Sequence, residues 1–181
     1  MITRRDQDII NFLEDFHIAT SSQIHRLFFN TSYQYSRERL YKLYQDGILK
    51  RTQSTIDNCY AYYIDRKPVQ IHHDLIRSEL YTNIKTKSHL LEWVNEQPIE
   101  NIRPDALCYI ENAGIIFPTM IEIHLSNSFN VDKYRGIDFL ALFGVRPRLV
   151  ICTDRQITVP AVKNLSIKIV GTDMSGLDRI I

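Results

Sequence analysis

Asp105, Glu122 and His124 are the residues of this chain whose types and spacing could do chemistry together. Asp105 follows Pro104 and opens the apolar run Ala106-Leu107-Cys108-Tyr109-Ile110, while Glu122 and His124 close the run that begins at Phe117. Between the runs stands Glu111-Asn112-Ala113-Gly114, a turn-rich tetrapeptide, so the stretch predicts a β-hairpin. A turn centred near Ala113 and Gly114 sets Asp105 opposite or diagonal to Glu122, within reach across an antiparallel pair. Glu122 and His124 are two apart and share a strand face. An unpaired carboxylate among apolar neighbours is costly, so these groups need partners. Those partners are either a bound cation or hydrogen-bond donors in a purely structural cluster.

The pattern resembles the metal site of the restriction-endonuclease-like superfamily, whose motif is PD…(D/E)xK. Pro104-Asp105 stands at its PD, and Glu122-Ile123-His124 at its (D/E)xK, with His in place of Lys. The resemblance implies a catalytic set of Asp105, Glu122 and His124, with Asp105 and Glu122 as ligands of Mg²⁺. Oxygen donors suit that ion, and the ion would activate water and shield a phosphate. The exchange of Lys for His spares metal binding but removes a permanent cation. It therefore points away from cleavage and towards the structural cluster.

The elements that must position these residues read as follows. Asp74 to Glu96 predicts a long helix, with Leu75, Leu80, Ile84, Leu90, Leu91 and Val94 on one broad face and Asp74 as its N-cap. Glu79 lies on that helix, where related nucleases carry an acid. The hairpin comes next. Val131 to Phe143 predicts a second helix, with Lys133 and Arg135 in its first turns, where they could approach a phosphate. Leu149 to Thr153 reads as a strand covered on both faces. Val159 to Leu165 predicts a short helix and Ser166 to Val170 a further strand. The expected second domain, residues 68–181, is thus an αβββαβ, restriction-endonuclease-like unit with a mixed sheet flanked by helices.

Residues 1–67 have another rhythm. Ile9, Ile10, Leu13 and Phe16 mark an amphipathic first helix, with Asp6, Asp8, Glu14 and Asp15 mostly off its stripe. Thr20-Ser21-Ser22-Gln23 is a capping-box signature for a second helix, with Ile24, Leu27 and Phe28 inward. Asn30-Thr31-Ser32 caps a third, Tyr33 to Gln45, with Ser36, Leu40, Leu43 and Tyr44 inward and Asp46-Gly47 as its stop. Two short strands, Ile48 to Arg51 and Tyr60 to Ile64, flank a polar tip. Three helices and a ribbon predict a winged helix-turn-helix, whose third helix would enter the major groove of DNA. From Arg26 to Arg51 there are six basic residues against two acids, a local net charge of +4. The expected DNA-binding set is Arg26, Tyr33, Gln34, Arg37, Tyr41, Lys42, Lys50 and Arg51, with Gln34 and Arg37 able to reach base edges. Asp65-Arg66-Lys67-Pro68 is the expected boundary between the domains.

Bulk composition excludes some classes. The net charge over 181 residues is only +1, so any DNA affinity must come from local placement. Cys59, Cys108 and Cys152 are odd in number and widely spaced, which argues against a disulfide framework and against zinc. The charged N-terminus and the lack of a long apolar run predict a cytoplasmic protein that does not span a membrane.

Taken jointly, the chain resembles the replication-relaxation family of plasmids, phages and integrative elements. The matching residues are Arg5-Asp6, Leu27-Phe28-Phe29, Arg39 to Leu43, His73-Asp74-Leu75, Arg103-Pro104-Asp105, and Ile121 to His124 followed by Lys133-Tyr134. The resemblance implies a DNA-binding accessory protein, acting in replication initiation or conjugative mobilisation within a relaxosome. Expected partners are double-stranded DNA, a relaxase or replication protein, and a second copy in a homodimer. The competing expectations are a Mg²⁺-dependent endonuclease and a protein-docking adaptor.

Overall fold

A computed structural model describes all of the residues Met1–Ile181. The protein is mixed α+β, with five α-helices and two sheets. It divides into two compact units, Met1–Thr86 and Lys87–Ile181.

In the first unit, α1 (Arg4–Phe16) begins with a complete capping box, in which Thr3 and Asp6 each bond the other's backbone. A three-residue strand, β1 (Ile18–Thr20), follows. Helix α2 (Ser21–Phe28) opens with the expected box of Thr20 and Gln23, and α3 (Tyr33–Gln45) is capped by Ser32 and closed at Asp46. Strands β2 (Lys50–Gln53) and β3 (Tyr60–Tyr63) form an antiparallel ribbon, and β1 adds to the far side of β3. Ile9, Phe12, Leu13, Phe16, Ile24, Leu40 and Leu43 are buried, so helical periodicity identified most of this core.

Three sequence expectations change here. Asp6, expected mostly off the apolar stripe, is fully buried, because it both caps α1 and pairs with Arg39. Tyr44 is exposed, turned out towards β2 instead of inward. Asp74 is not an N-cap: helix α4 spans Ile71–Lys87, and Asp74 lies in its first turn, 3.1 Å from the buried guanidinium of Arg77.

Helix α4 also ends nine residues short of the expected Glu96, and His89–Asn95 is a strand, β4. Leu90, Leu91 and Val94 fit a helical stripe and a bulged strand equally well. Pairing with the next strand decides the matter, and the bulge between Leu90 and Glu92 leaves Leu91 exposed. Most of α4 belongs to the first unit. Gln23 Nε2 donates to the Leu75 carbonyl (3.1 Å) and Ser78 Oγ to the Ile18 carbonyl (2.7 Å). The division between units therefore lies beyond the Asp65–Pro68 stretch.

The second unit is a mixed five-stranded sheet in the order β4, β5 (Ala106–Asn112), β6 (Ile115–Ile123), β7 (Arg148–Cys152), β8 (Ser166–Val170). The first three strands are antiparallel, and β6, β7 and β8 run parallel. The hairpin turns on Ala113 and Gly114, both with positive φ (51° and 78°), as a two-residue turn of matching twist requires. The expected helix over Val131–Phe143 is broken into a single 3₁₀ turn (Asp132–Tyr134) and a five-residue helix, α5 (Phe139–Phe143). Gly136 between them has φ of 84°, outside the helical region. No helix forms over Val159–Leu165, where Pro160 removes a donor, and the chain reaches β8 irregularly. Leu107, Met120, Leu149 and Ile151 pack with Val131, Tyr134, Phe139, Val162 and Leu165 in one buried cluster. Leu149 to Cys152 are all fully buried, as a strand covered on both faces should be. No helix is long and apolar enough to cross a membrane.

Candidate functional site

Two groups of polar residues stand out, one in each unit. In the second, the hairpin register pairs Ala106 with Ile121; continued by one residue, it sets Asp105 opposite Glu122. The two carboxylates have different partners. Asp105 Oδ2 accepts the Ile123 amide at 2.6 Å. Glu122 is 9% exposed, and its Oε1 accepts from both Lys133 Nζ (2.7 Å) and the Tyr134 hydroxyl. Burial, followed by the charges of Glu122 and Asp105, drives the Tyr134 hydroxyl far above the usual phenol range, so it stays protonated and donates.

His124 does not complete this group. Its Nε2 lies 3.2 Å from Ser126 Oγ, and its ring stands edge-on to Phe129 at 5.2 Å. The cation on Glu122 comes instead from Lys133, eleven residues along the chain, in the segment expected to meet a phosphate. As placed, the donor set does not fit a hard divalent ion. One oxygen of Glu122 already serves an ammonium and a hydroxyl, and no group of three acidic, His or Cys side chains is arranged to hold a metal. Glu79 is likewise engaged: Gln23, Arg26 and Asn83 all donate to its carboxylate.

The first unit presents an open groove of about 360 Å³ between α3 and the β2–β3 ribbon. Tyr33, Gln34, Arg37, Tyr41 and Arg51, five of the eight residues expected to meet DNA, line it. The other three do not. Arg26 is paired with Glu79, Lys42 with Asp46 across one helical turn (3.7 Å), and Lys50 Nζ donates to the Asp65 carbonyl. Arg39, counted in the local charge, is bound to Asp6 with Nε 2.9 Å from Oδ1. Of the six basic residues in this stretch, Arg37 and Arg51 are left to face the groove.

Arg51 is held by rings. Its guanidinium lies 4.1 Å from the Tyr60 ring centre, 4.4 Å from Tyr44 and 5.1 Å from Tyr41, and Arg37 lies 5.9 Å from Tyr33. Tyr41, Tyr44 and Tyr60 are nevertheless 44%, 38% and 43% exposed, so their outer faces remain open. The Tyr33 hydroxyl is fixed by Ser21 Oγ (2.8 Å) and Cys59 Sγ (3.1 Å), and burial raises its pKa. Such a groove can offer guanidinium planes and π faces to a ligand that is flat, anionic or both.

No family model, curated protein or solved structure matches this chain. Function must therefore be argued from these two groups.

The sequence reading passed over Tyr44, Asn58, Cys59 and Tyr60. The signal was present: Tyr33, Arg37, Tyr41 and Tyr44 recur at steps of four, four and three, a stripe on one helix face. Tyr60 and Tyr62 alternate on the strand that pairs with Arg51. Tyr44 reads inward with Leu40 and Leu43, and the pairing of α3 with Arg51 of the ribbon shows it on the outer side instead.

Proposed function

We propose that the first unit is a winged helix-turn-helix reader of duplex DNA, with α3 as its recognition helix and β2–β3 as the wing. The chain then acts as a DNA-binding accessory protein of a plasmid, phage or integrative element, in replication initiation or mobilisation. The observation that carries this reading is the groove in which Arg37 and Arg51, the cations not drawn into internal pairs, face outward among exposed tyrosines. Guanidinium groups of this kind bind phosphates and base edges in the fork geometry that lysine lacks. A homodimer on repeated half-sites, and a relaxase or replication protein as partner, belong to the same proposal. In this reading the second unit is a body of nuclease-like pattern, in which Glu122 braces the sheet against the Asp132–Tyr134 turn and Asp105 ties the hairpin to Ile123, rather than cutting.

The test is a fluorescence-polarisation titration with a pool of random duplexes at several salt concentrations. Arg37→Ala combined with Arg51→Ala lowers affinity for the pool and flattens its salt dependence by about two phosphate contacts. Full affinity in that double variant, with unchanged circular dichroism, overturns the assignment of this surface.

A further inference from the structure

The groove in the first unit is rich in ring faces and poor in cations. Ordinary duplex binding rests on many lysines and arginines against phosphates. Here four of the six basic residues between Arg26 and Arg51 have partners outside the groove, while Tyr41 and Tyr60 on its walls stay exposed. That balance is the one found where bases stack on aromatic side chains, since every base has a π face.

The dimensions agree. About 360 Å³ lies at the small end of small-ligand sites, roughly 300–1,000 Å³. It is ample for one nucleobase with its sugar. The walls carry edge-reading groups as well: the Asn58 amide lies along the same groove, and Gln34 keeps its carbonyl oxygen while its Nε2 donates to Glu38 (2.8 Å), the one acid on the groove wall. Amides of this type can pair with the hydrogen-bonding edge of a base that has left its stack. The groove is also organised without a ligand. Arg51 is fixed by three rings, and Tyr33 by Ser21 and Cys59, so little ordering remains to be done on binding.

We infer that this groove takes a single unpaired nucleobase, so that the unit prefers DNA carrying an extruded or unpaired base over a perfect duplex. The inference rests on the DNA-binding reading of the same face and names what that face selects. The base stacks against the tyrosine and guanidinium faces, and Gln34 and Asn58 meet its edge.

The experiment compares three probes of one sequence with the full chain: a perfect duplex, the same duplex with one bulged base, and the bulged duplex with 2-aminopurine at the bulge. The bulged duplex binds roughly tenfold to a hundredfold more tightly, the range that stacking one base supplies. The emission of the 2-aminopurine changes on binding. Tyr41→Leu and Tyr60→Leu bring the affinity ratio close to one, and Tyr60→Phe restores it. Equal affinity for perfect and bulged duplexes overturns the inference while leaving the DNA-binding reading intact. Failure to bind any of the three overturns both. A preference that survives Tyr41→Leu and Tyr60→Leu in folded protein assigns the base to another surface and also overturns it.

Discussion

In the first unit the guanidinium of Arg51 lies outward among three tyrosine rings, whereas in the second the ammonium of Lys133 is turned onto a carboxylate that is almost buried. Bulk charge does not distinguish the units, with twelve Lys and Arg against ten acids in Met1–Thr86 and ten against eleven in Lys87–Ile181. Placement does. A guanidinium stacked on rings is not tied to an internal acid, and Arg51, which also reaches Tyr62, keeps further donors for a partner. A cation bonded to an internal acid has its best partner already, and taking that acid away exposes a desolvation cost rather than a binding site. On the DNA-binding proposal, the contrast separates a surface that recognises from a cluster that holds the sheet together.

The largest effect breaks the comparison within the first unit, at Asp6. This residue is internal cohesion in an otherwise outward-looking module: fully buried, capping α1 and bound to Arg39. Asp6→Ala costs about 3–5 kcal/mol, because it strands a partly buried guanidinium and uncaps a helix. Urea unfolding followed by circular dichroism measures it. The hydrogen bond from Arg39 holds the Asp6 carboxyl down at about 2, against an ordinary 3.8. The folded-state value is the lower one, so this stabilisation is complete above the ordinary value and disappears as pH falls from 3.8 towards 2. Asp6→Ala removes that part of the acid dependence; an unchanged acid profile in the variant refutes the assignment.

A smaller effect sharpens the second half of the comparison. Tyr134→Phe deletes the hydroxyl that donates to Glu122 and leaves Lys133 in place. A buried acceptor that loses one of two donors costs about 1–3 kcal/mol. Hydrogen exchange measures the loss as faster exchange across β6 and the Asp132–Tyr134 turn, and DNA affinity is unchanged. Glu122→Gln behaves similarly, and neither wild type nor variant nicks supercoiled plasmid with Mg²⁺ or Mn²⁺. If Glu122→Gln instead leaves stability intact and abolishes a metal-dependent nick, the second unit is a nuclease and the contrast fails.

These residues also mark what could be read before any coordinates. Thr20 and Gln23 and the turn at Ala113-Gly114 follow from local rules and are found as expected, and the register that the turn sets runs to Ala106 and Ile121, one residue short of Asp105 and Glu122. Asp105 and Glu122 were legible as opposed because a two-residue turn counts the register for the reader. The lysine on Glu122 was not, because it arrives from a loop whose path no periodicity encodes. The same limit explains β4. Trp93 and Val94 suit a strand by propensity and a helix by spacing, and only pairing with Cys108 and Leu107 settles the choice. Charge counting failed in another way. The +4 between Arg26 and Arg51 was real, but the acids that engage Arg26 and Arg39 lie at Glu79 and Asp6, outside the counted window.

The smallest expected effect comes from Lys42, and it is a control on the others. Lys42 shares α3 with Arg37 and Tyr41, so sequence distance alone would make the three equivalent. It does not line the groove, and it pairs with Asp46, 3.7 Å away on the exposed side of the helix. An exposed pair of this spacing contributes only about 0.3–0.5 kcal/mol to stability. Lys42→Ala therefore shifts unfolding by less than that amount and lowers DNA affinity about twofold, through the loss of one distant charge. Urea unfolding measures the first, and the polarisation assay used for Arg37 and Arg51 the second. If Lys42→Ala weakens binding as strongly as Arg51→Ala, phosphate contacts spread over the helix govern affinity, and ring-held arginines are no longer what sets this groove apart.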